Sequence, residues 1–156
     1  MNARLQAGPV RFSHMREDDV PAVLRIEQAA YPFPWTGGNF LDSIRSGYLC
    51  RVARDDARDI VGYFLMMMAL DEAHLLNITV DPVAHGHGYG LALLDHATEC
   101  ARTKAMRSIM LEVRPSNHRA LAIYQRYGYT RIGVRRNYYP APGDTRENAI
   151  VMKVSL

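Results

Sequence analysis

The chain has 156 residues, of which 48% are apolar and 22% are charged, and this balance indicates one folded domain over residues 1–156 rather than a disordered protein. Its net charge of +3 is compatible with a polyanionic ligand but is too small to predict direct nucleic-acid binding. The longest apolar run, residues 60–70, is well short of the roughly 20 residues that a membrane-spanning helix needs. Without a membrane segment or an apolar signal-peptide region, the chain is expected to be cytoplasmic, with no membrane partner.

The first half of the chain predicts three strands and two helices. Asp18 and Asp19 can cap the first helix, and the proline-rich segment 31–35 ends it. Thr36 can cap a second, short helix. The strands are expected at residues 9–14, 48–53 and 60–70, of which the last two form a hairpin.

The second half predicts a strand–helix–strand unit, another helix and a closing pair of strands around the loop 140–144. These elements are expected, in chain order, at residues 75–80, 88–106, 108–113, 117–127, 131–138 and 148–154. A strand–helix–strand crossover joins parallel strands, whereas the remaining strands follow one another as antiparallel neighbours. The predicted fold is therefore α/β, with a mixed, mostly antiparallel sheet, one parallel βαβ unit and helices on both faces.

A glycine-rich segment from Val80 to Leu91 joins a strand to the following helix. Unpaired backbone N–H groups lie at the positive end of such a helix, and glycine lets the backbone approach an anion closely, so the segment predicts a pyrophosphate cradle. An ordinary flexible loop would have a similar composition. A Walker A loop is excluded because Gly-Lys-Ser/Thr is absent, and a dinucleotide fingerprint is excluded because Leu91 stands where its third glycine is needed.

Two histidines, His85 and His87, lie within this loop. A His-x-His pair with no third ligand nearby rarely forms a metal site, so no metal is predicted. Three further histidines, His74, His96 and His118, are expected to be structural or to lie on the surface.

The loop resembles the coenzyme A-binding motif of the GNAT superfamily of acetyltransferases, Gln/Arg-x-x-Gly-x-Gly/Ala. Here it reads His85-Gly86-His87-Gly88-Tyr89-Gly90, so both glycines match and His85 replaces Gln/Arg. Four further segments are similar to the bacterial ribosomal-protein alanine N-acetyltransferases of the RimI type. They are Leu-Asp-Glu-Ala (70–73), Asn-Ile-Thr-Val-Asp-Pro (77–82), Leu-Glu-Val-Arg-Pro-Ser-Asn (111–117) and Arg-Arg-Asn-Tyr-Tyr-Pro (135–140).

This resemblance, which runs from about Glu27 to Met152, implies a GNAT fold and acetyl-coenzyme A as the acetyl donor. It places coenzyme contacts on the strand before the loop, in the loop and at the start of the last helix. The residues are Ile78, Thr79, Val80, His85, Gly86, His87, Gly88, Tyr89, Gly90, Leu91 and Asn117.

Two side chains suit the proton transfers that acyl transfer to an amine requires. Glu112 lies near the end of a core strand, where a carboxylate is costly unless it has a partner or a task, although a place on a solvated strand face is the alternative. Tyr124 lies in the last helix, where it can protonate a leaving thiolate or simply pack among aromatic side chains. The resemblance implies that Glu112 is the general base and Tyr124 the general acid.

Aromatic residues are expected to form the walls of the acceptor site. Tyr138 and Tyr139 lie in the connection between the last two strands, and Phe33 and Trp35 lie in the segment between the first two helices. By the resemblance, the two groups enclose the backbone of a substrate peptide. Ordinary edge-strand aromatics are the alternative for the tyrosine pair.

The resemblance implies direct transfer of acetyl, in a ternary complex, to the α-amine of an N-terminal alanine, above all of a small-subunit ribosomal protein. The partner is then a protein N-terminus, and the enzyme is expected to be a monomer or weak dimer. Neither Cys50 nor Cys100 has a convincing histidine partner, so an acetyl-cysteine intermediate is not expected. Two alternatives remain: acetylation of a small-molecule amine or a lysine side chain, and a non-catalytic coenzyme A-binding module.

Overall fold

The computed structural model describes residues 9–156, which form a seven-stranded sheet with four α-helices packed on its two faces. In chain order the elements are β1 (Arg11–His14), α1 (Val20–Ala30), α2 (Gly37–Arg45), β2 (Leu49–Arg54), β3 (Ile60–Ala69), β4 (Glu72–Val80), α3 (Tyr89–Thr103), β5 (Ser108–Val113), α4 (His118–Tyr127), β6 (Thr130–Ala141) and β7 (Thr145–Ser155). Across this described range, no helix combines the length and the apolar character needed to cross a bilayer.

The strands lie side by side in the order β1-β2-β3-β4-β5-β7-β6. β4 and β5 are parallel, with α3 as their crossover, and every other neighbouring pair is antiparallel. This confirms the predicted fold class, including the single parallel βαβ unit.

Several predicted boundaries are wrong, including the start of β4, which lies at Glu72 rather than at residue 75. Backbone conformation explains the differences at the β6–β7 turn and at the end of α3. β6 continues to Ala141 and β7 begins at Thr145, so a three-residue turn replaces the predicted loop 140–144. Gly143 and Asp144 within this turn have positive φ, which reverses the chain in few residues. α3 ends at Thr103 rather than at residue 106, because Ala105 adopts a φ of +60° that a helix cannot contain.

The two predicted helix caps had different outcomes. The Thr36 side chain accepts a hydrogen bond from the Asn39 backbone N–H at 3.2 Å and caps α2, as predicted. Asp19 precedes α1, but its side chain accepts from the Arg16 backbone N–H at 2.8 Å and pairs with Arg54 instead. The reason is that a 3₁₀ turn at Glu17–Asp19 runs directly into α1, so Asp19 closes that turn.

A hydrophobic core lies on each face of the sheet. α3 and α4 cover one face, where Leu93 of α3 packs with Phe64 of β3. α1 and α2 cover the other face, where Val23 and Phe40 pack with Leu65. Each such side chain, fully buried, stabilises the fold by about 1.5–3 kcal/mol relative to an exposed one.

The feature that positions the candidate site is a fork between β4 and β5. The two strands pair only from Glu72 to Leu75 on β4 and from Ser108 to Leu111 on β5. A bulge then inserts Leu76 into β4, and the strands part. Beyond it, the backbone of β4 pairs with β3 on one side, and no strand within residues 9–156 pairs with its β5 side.

Candidate active site

A cleft of about 1380 Å³ opens at this fork, between β4, the N-terminus of α3 and α4. It brings together nearly all the residues predicted to bind coenzyme A and the predicted acid. They are Ile78, Thr79, Val80, His85, Gly86, Gly88, Tyr89, Gly90, Leu91, Asn117 and Tyr124. The exception is His87, whose ring lies beside that of Tyr89, with centroids 5.8 Å apart, and is not part of the cleft wall.

The glycine loop has the geometry of an anion cradle. Gly86 and Gly88 have φ values of +85° and +77°, in the left-handed region that favours glycine. Gly88 is the N-cap residue of α3 and provides no side-chain cap, so the first N–H groups of the helix remain available to a ligand. A Cβ atom on Gly86 would meet nothing within 4 Å, so backbone conformation rather than crowding requires glycine there.

Four arginines that the sequence analysis did not single out also line the cleft, namely Arg114, which is described below, and three others. Arg102 lies in the last turn of α3, and Arg119 and Arg126 lie on α4. Their charges suit a ligand with several phosphates. Arginines on exposed helix faces are common, so only the tertiary arrangement reveals that these three converge. Asn117 caps α4 by accepting from the Ala120 N–H at 3.2 Å.

Tyr124 is both a packed aromatic and a cleft residue. Its ring packs against Tyr129, with centroids 5.8 Å apart, and only 9% of the residue is exposed. Burial raises the pKa of Tyr124 well above its usual value, and the nearby Tyr31, Tyr129 and Tyr139 add to the shift. The phenol therefore stays protonated at any neutral pH, as a proton donor requires.

The side chain of Glu112 is buried on the opposite face of the sheet. Its neighbours Leu111 and Val113 belong to the core beneath α3 and α4, so by strand alternation Glu112 points to the α1 side. Its side chain is 6% exposed, which rules out the solvated strand face considered from the sequence. Glu112 Oε2 lies 2.5 Å from Nε2 of His74.

The other carboxylate oxygen, Glu112 Oε1, is buried without a hydrogen-bond partner among the described residues. Arg135 Nε lies 3.1 Å from it, close enough for an ion pair but without the geometry of a hydrogen bond. A buried carboxylate oxygen that lacks a hydrogen-bond donor is costly to the fold.

Arg114 joins the two predicted walls of the acceptor site. Its guanidinium carbon lies 4.4 Å from the ring centroid of Tyr139 and 5.5 Å from that of Phe33. Arg114 Nη1 also donates to the Pro140 carbonyl at 2.8 Å and to Glu147 at 3.2 Å. The α1–α2 segment and the β6–β7 hairpin are therefore held together across the fork.

The remaining wall residues differ in where they point. Tyr138 is 43% exposed and lies edge-on to Tyr139, with centroids 4.9 Å apart. Burial and then the Glu112 carboxylate raise the pKa values of Tyr138 and Tyr139 above their usual range. Trp35 instead packs its ring against Phe40 in the core beside α2, with centroids 5.2 Å apart.

A buried carboxylate, Glu27, supports this wall and escaped the sequence analysis. It is 2% exposed and accepts hydrogen bonds from the Tyr63 hydroxyl at 2.7 Å, from Asn77 Nδ2 at 2.9 Å and from the Trp35 backbone N–H at 3.0 Å. Three donors offset the cost of burying its charge. Glu27 lies four residues after Val23 on α1. This spacing places it on the inner face of the helix, and it is the feature of the sequence that could have indicated a buried carboxylate.

Tyr31 was also not singled out from the sequence. Its hydroxyl lies 2.8 Å from Thr79 Oγ1 and donates to the Ile78 carbonyl at 3.3 Å, so it fixes β4 where the strand borders the cleft. Burial raises the pKa of Tyr31 to about 12. Between residues 9 and 156, no three His, Cys, Asp or Glu side chains converge in a way that could hold a metal ion.

The sequence of this chain is similar to those of known proteins. A family model described as the Acetyltransferase (GNAT) family matches residues 20–129. The chain is 36% identical to the ribosomal protein bS18-alanine N-acetyltransferase of Escherichia coli K12 over 145 residues, which cover 93% of this chain and 97% of that protein.

Solved structures agree with this similarity. The crystal structure of the Escherichia coli ribosomal-protein alanine N-acetyltransferase matches with a TM-score of 0.85 at 35% identity, covering 94% of both chains. The crystal structure of Ard1 from Thermoplasma volcanium matches with a TM-score of 0.83 at 27% identity, covering 94% of this chain and 97% of that one.

Proposed function

Because this chain belongs to the acetyltransferase (GNAT) family and is an acetyl-coenzyme A-dependent N-acetyltransferase, we propose that it acetylates the α-amine of an N-terminal alanine on a ribosomal protein. Similarity along nearly the whole chain to the bS18-alanine enzyme carries this assignment. The chemistry agrees, since an α-amine with a pKa of about 7.7–8.0 is appreciably neutral near pH 7, whereas a lysine at about 10.4 is not.

The cleft supports a binding mode for acetyl-coenzyme A. The β4 segment Ile78–Val80 offers backbone groups that β5 does not pair, and these fit the amides of the pantetheine arm as an added strand would. The loop from His85 to Leu91 would hold the pyrophosphate on the N–H groups that open α3. In this arrangement His87 contributes its backbone to the pyrophosphate loop. Asn117, at the start of α4, would contact the pantetheine arm.

Glu112 is the proposed general base. Its Oε1 atom makes no hydrogen bond within the described structure and lies at the fork, so it can take the amine proton directly or through one water. A carboxylate suits this task because the α-amine needs only modest help to lose its proton near neutral pH.

Tyr124 is the proposed general acid. Its phenol lines the cleft and keeps its proton because burial raises its pKa. As the carbon–nitrogen bond forms and the carbon–sulfur bond breaks, the phenol would donate to the departing thiolate and later recover a proton from solvent.

The fork explains how Glu112 and Tyr124 could both act on one reacting centre. Glu112 projects from the sheet on the α1 side, whereas Tyr124 reaches the cleft from α4 on the other side. Intact strand pairing would separate them. Glu112 does not line the cleft itself, and we expect the gap where the strands part, after Leu75 and Leu111, to bring its carboxylate within reach of the reacting centre beside Tyr124.

The acceptor slot is the space enclosed by the walls that Arg114 joins. Phe33 and Tyr139 would flank the peptide backbone, with Tyr138 at the exposed edge and Trp35 supporting the wall from the core. An enclosed slot favours an extended N-terminus over a small free amine, because backbone beyond the first residue then adds binding energy.

Intact-mass analysis of a peptide panel with acetyl-coenzyme A tests the function. An alanine-initiated ribosomal-protein peptide should gain one acetyl group faster than free alanine, spermidine or a peptide with a blocked N-terminus and an internal lysine. Faster acetylation of spermidine or of the lysine would replace this proposal with the small-amine or lysine alternative. The expected monomer or weak dimer, single domain and cytoplasmic location remain predictions, which size-exclusion chromatography, limited proteolysis and cell fractionation address.

A further inference from the structure

His74 of β4 and Glu112 of β5 lie side by side at the point where the sheet opens. The parallel ladder ends with Leu75 opposite Leu111, so His74 lies one residue before its last rung and Glu112 one residue after it. Ala73 and Leu75 face the core beneath α3, which places His74 on the same face of the sheet as Glu112.

The contact between them divides the Glu112 carboxylate into two unlike oxygens. His74 Nε2 lies 2.5 Å from Oε2, whereas Oε1 has no hydrogen-bond partner in the described range. The side chains are 18% and 6% exposed, so the pair is largely shielded from water. A neutral imidazole that donates from Nε2 therefore leaves Oε1, which accepts no hydrogen bond from the described residues and lies 3.1 Å from Arg135 Nε, as the oxygen that can take a proton.

Among the described residues, no second histidine lies beside the pair. The strand neighbours of His74 are Met67 on β3 and Met110 on β5. The charged or titratable groups near the pair are Glu72 on β4, Arg135, Tyr138 and Tyr139 on β6, and Lys153 on β7. Glu72 is already paired with Lys153 at 2.8 Å, which leaves His74 as the group whose ionisation can modulate Glu112.

We propose that His74 is a positioning residue for the base: its Nε2–H holds Oε2 and aims Oε1 at the acceptor amine, and its protonation weakens the base. This inference rests on the proposed role of Glu112. In the step itself the amine proton passes to Oε1, the thiolate receives a proton from Tyr124, and His74 neither gains nor loses one. Once His74 is an imidazolium, the carboxylate is held in an ion pair and binds a further proton less readily.

Two substitutions separate the parts of this role. His74→Gln retains an N–H donor but cannot become cationic, and His74→Leu removes the donor. At pH 8 we expect His74→Leu to lower kcat by at least about tenfold and His74→Gln to stay within about threefold, a floor below the usual contribution of a positioned base. The acetyl-coenzyme A dissociation constant should change by less than about threefold in both variants, because His74 does not line the cleft.

The pH dependence of kcat is the readout that a merely structural role would not change. In His74→Gln the acid limb should lose one ionisation and become shallower than in the unmodified enzyme. A His14→Gln control, which removes an exposed histidine on β1 outside the site, should keep the original limb. An unchanged acid limb in His74→Gln would overturn the proposal even if His74→Leu failed to fold.

Two further measurements separate this inference from the function on which it rests. Nitrogen-15 NMR of the imidazole at pH 8 should report the Nε2–H tautomer of His74 without any turnover, and an Nδ1–H tautomer would overturn the proposal. If Glu112→Gln is inactive while His74→Leu retains full kcat, the assignment of Glu112 as the base is supported and the positioning role of His74 is wrong. If Glu112→Gln keeps full kcat, both roles fail together.

Discussion

The guanidinium of Arg114 lies 4.4 Å above the ring of Tyr139 and ties the β6–β7 hairpin to the segment that carries Phe33. Cation–π contacts contribute about 0.5–1 kcal/mol at exposed sites and hydrogen bonds from charged donors about 1.5–3 kcal/mol. Removing all of them with Arg114→Gln should let the walls separate.

We expect Arg114→Gln to raise KM for an alanine-initiated peptide by about tenfold, and to raise it more than the coenzyme dissociation constant, since the acceptor walls are what it joins. Steady-state kinetics with calorimetric coenzyme binding measures both. Arg131→Gln, an exposed arginine at the far end of β6, is the matched control and should change neither. A larger effect on coenzyme than on peptide would assign Arg114 to the coenzyme side of the cleft.

Gly88 provides a test of the coenzyme cradle. Gly88→Val places a β-branched residue at a φ of +77°, and we expect it to raise the coenzyme dissociation constant by more than about tenfold because the backbone leaves its cradle conformation. Gly47→Val is matched in strain, at +79°, but lies after α2, away from the cleft. It should lower the melting temperature without weakening coenzyme binding. Equal coenzyme affinity in both variants would show that the loop around Gly88 does not bind the coenzyme.

The proposed base and acid should differ in how pH affects their variants. Glu112→Gln and Tyr124→Phe should each lower kcat at least about tenfold, with coenzyme affinity preserved. Raising the pH should partly restore Glu112→Gln, because the amine then loses its proton unaided, but should not restore Tyr124→Phe. Tyr129→Phe is the control, since it removes a neighbouring buried hydroxyl that has no partner in the described structure and should leave kcat unchanged. A high kcat in Tyr124→Phe would leave that residue a packing role only.

Buried phenols predict a loss of stability at alkaline pH. Burial raises the pKa of Tyr31 from 10.0 to about 12, so the folded protein retains a proton that the unfolded chain releases above pH 10. The contribution is full below pH 10 and is lost as pH rises toward 12, by about 1.4 kcal/mol per pH unit for one group. Urea unfolding between pH 8 and 12 measures this slope, and Tyr31→Phe should flatten it. A free energy of unfolding that stays constant over that range would contradict the assignment.

The cysteines should be dispensable for turnover. Cys50 is 4% exposed, and burial raises the pKa of its thiol to about 11, which suppresses the reactive thiolate. Cys100 Sγ lies 3.6 Å from His96 Nε2 on α3, and neither cysteine lines the cleft. The double variant Cys50→Ala, Cys100→Ala should therefore retain most activity. Mass-spectrometric detection of an acetylated enzyme after incubation with acetyl-coenzyme A alone would overturn direct transfer.

Local signals explain why much of the fold was predictable. Gly128 adopts a φ of +113° and ends α4 where the sequence indicated, and Thr36 begins α2 through its own side chain. The parallel arrangement of β4 and β5 followed from one crossover helix, which requires no long-range information. The glycine loop likewise carries its geometry within a few consecutive residues.

The unpredicted parts of the site depend on register and on distant partners. Glu27 accepts hydrogen bonds from Tyr63 and Asn77, which are 36 and 50 residues away along the chain. The residues next to it in sequence therefore do not show that its buried carboxylate has hydrogen-bond donors. The contact of His74 with Glu112 depends on the alignment of two parallel strands, which an apolar pattern does not specify. The bulge at Leu76 also leaves no distinctive residue type at its position.

The fork between β4 and β5 also has a kinetic consequence. The coenzyme cleft is lined mainly by β4, α3 and α4 and meets the acceptor walls at Arg114 and the end of α1, whereas Phe33, Tyr139 and Glu112 lie outside its lining, so we expect the two ligands to enter the gap from different sides. Neither has to pass through the other's entrance. Spent coenzyme can therefore leave while a peptide is still in place, and a non-reactive peptide that occupies the slot should inhibit without competing against acetyl-coenzyme A.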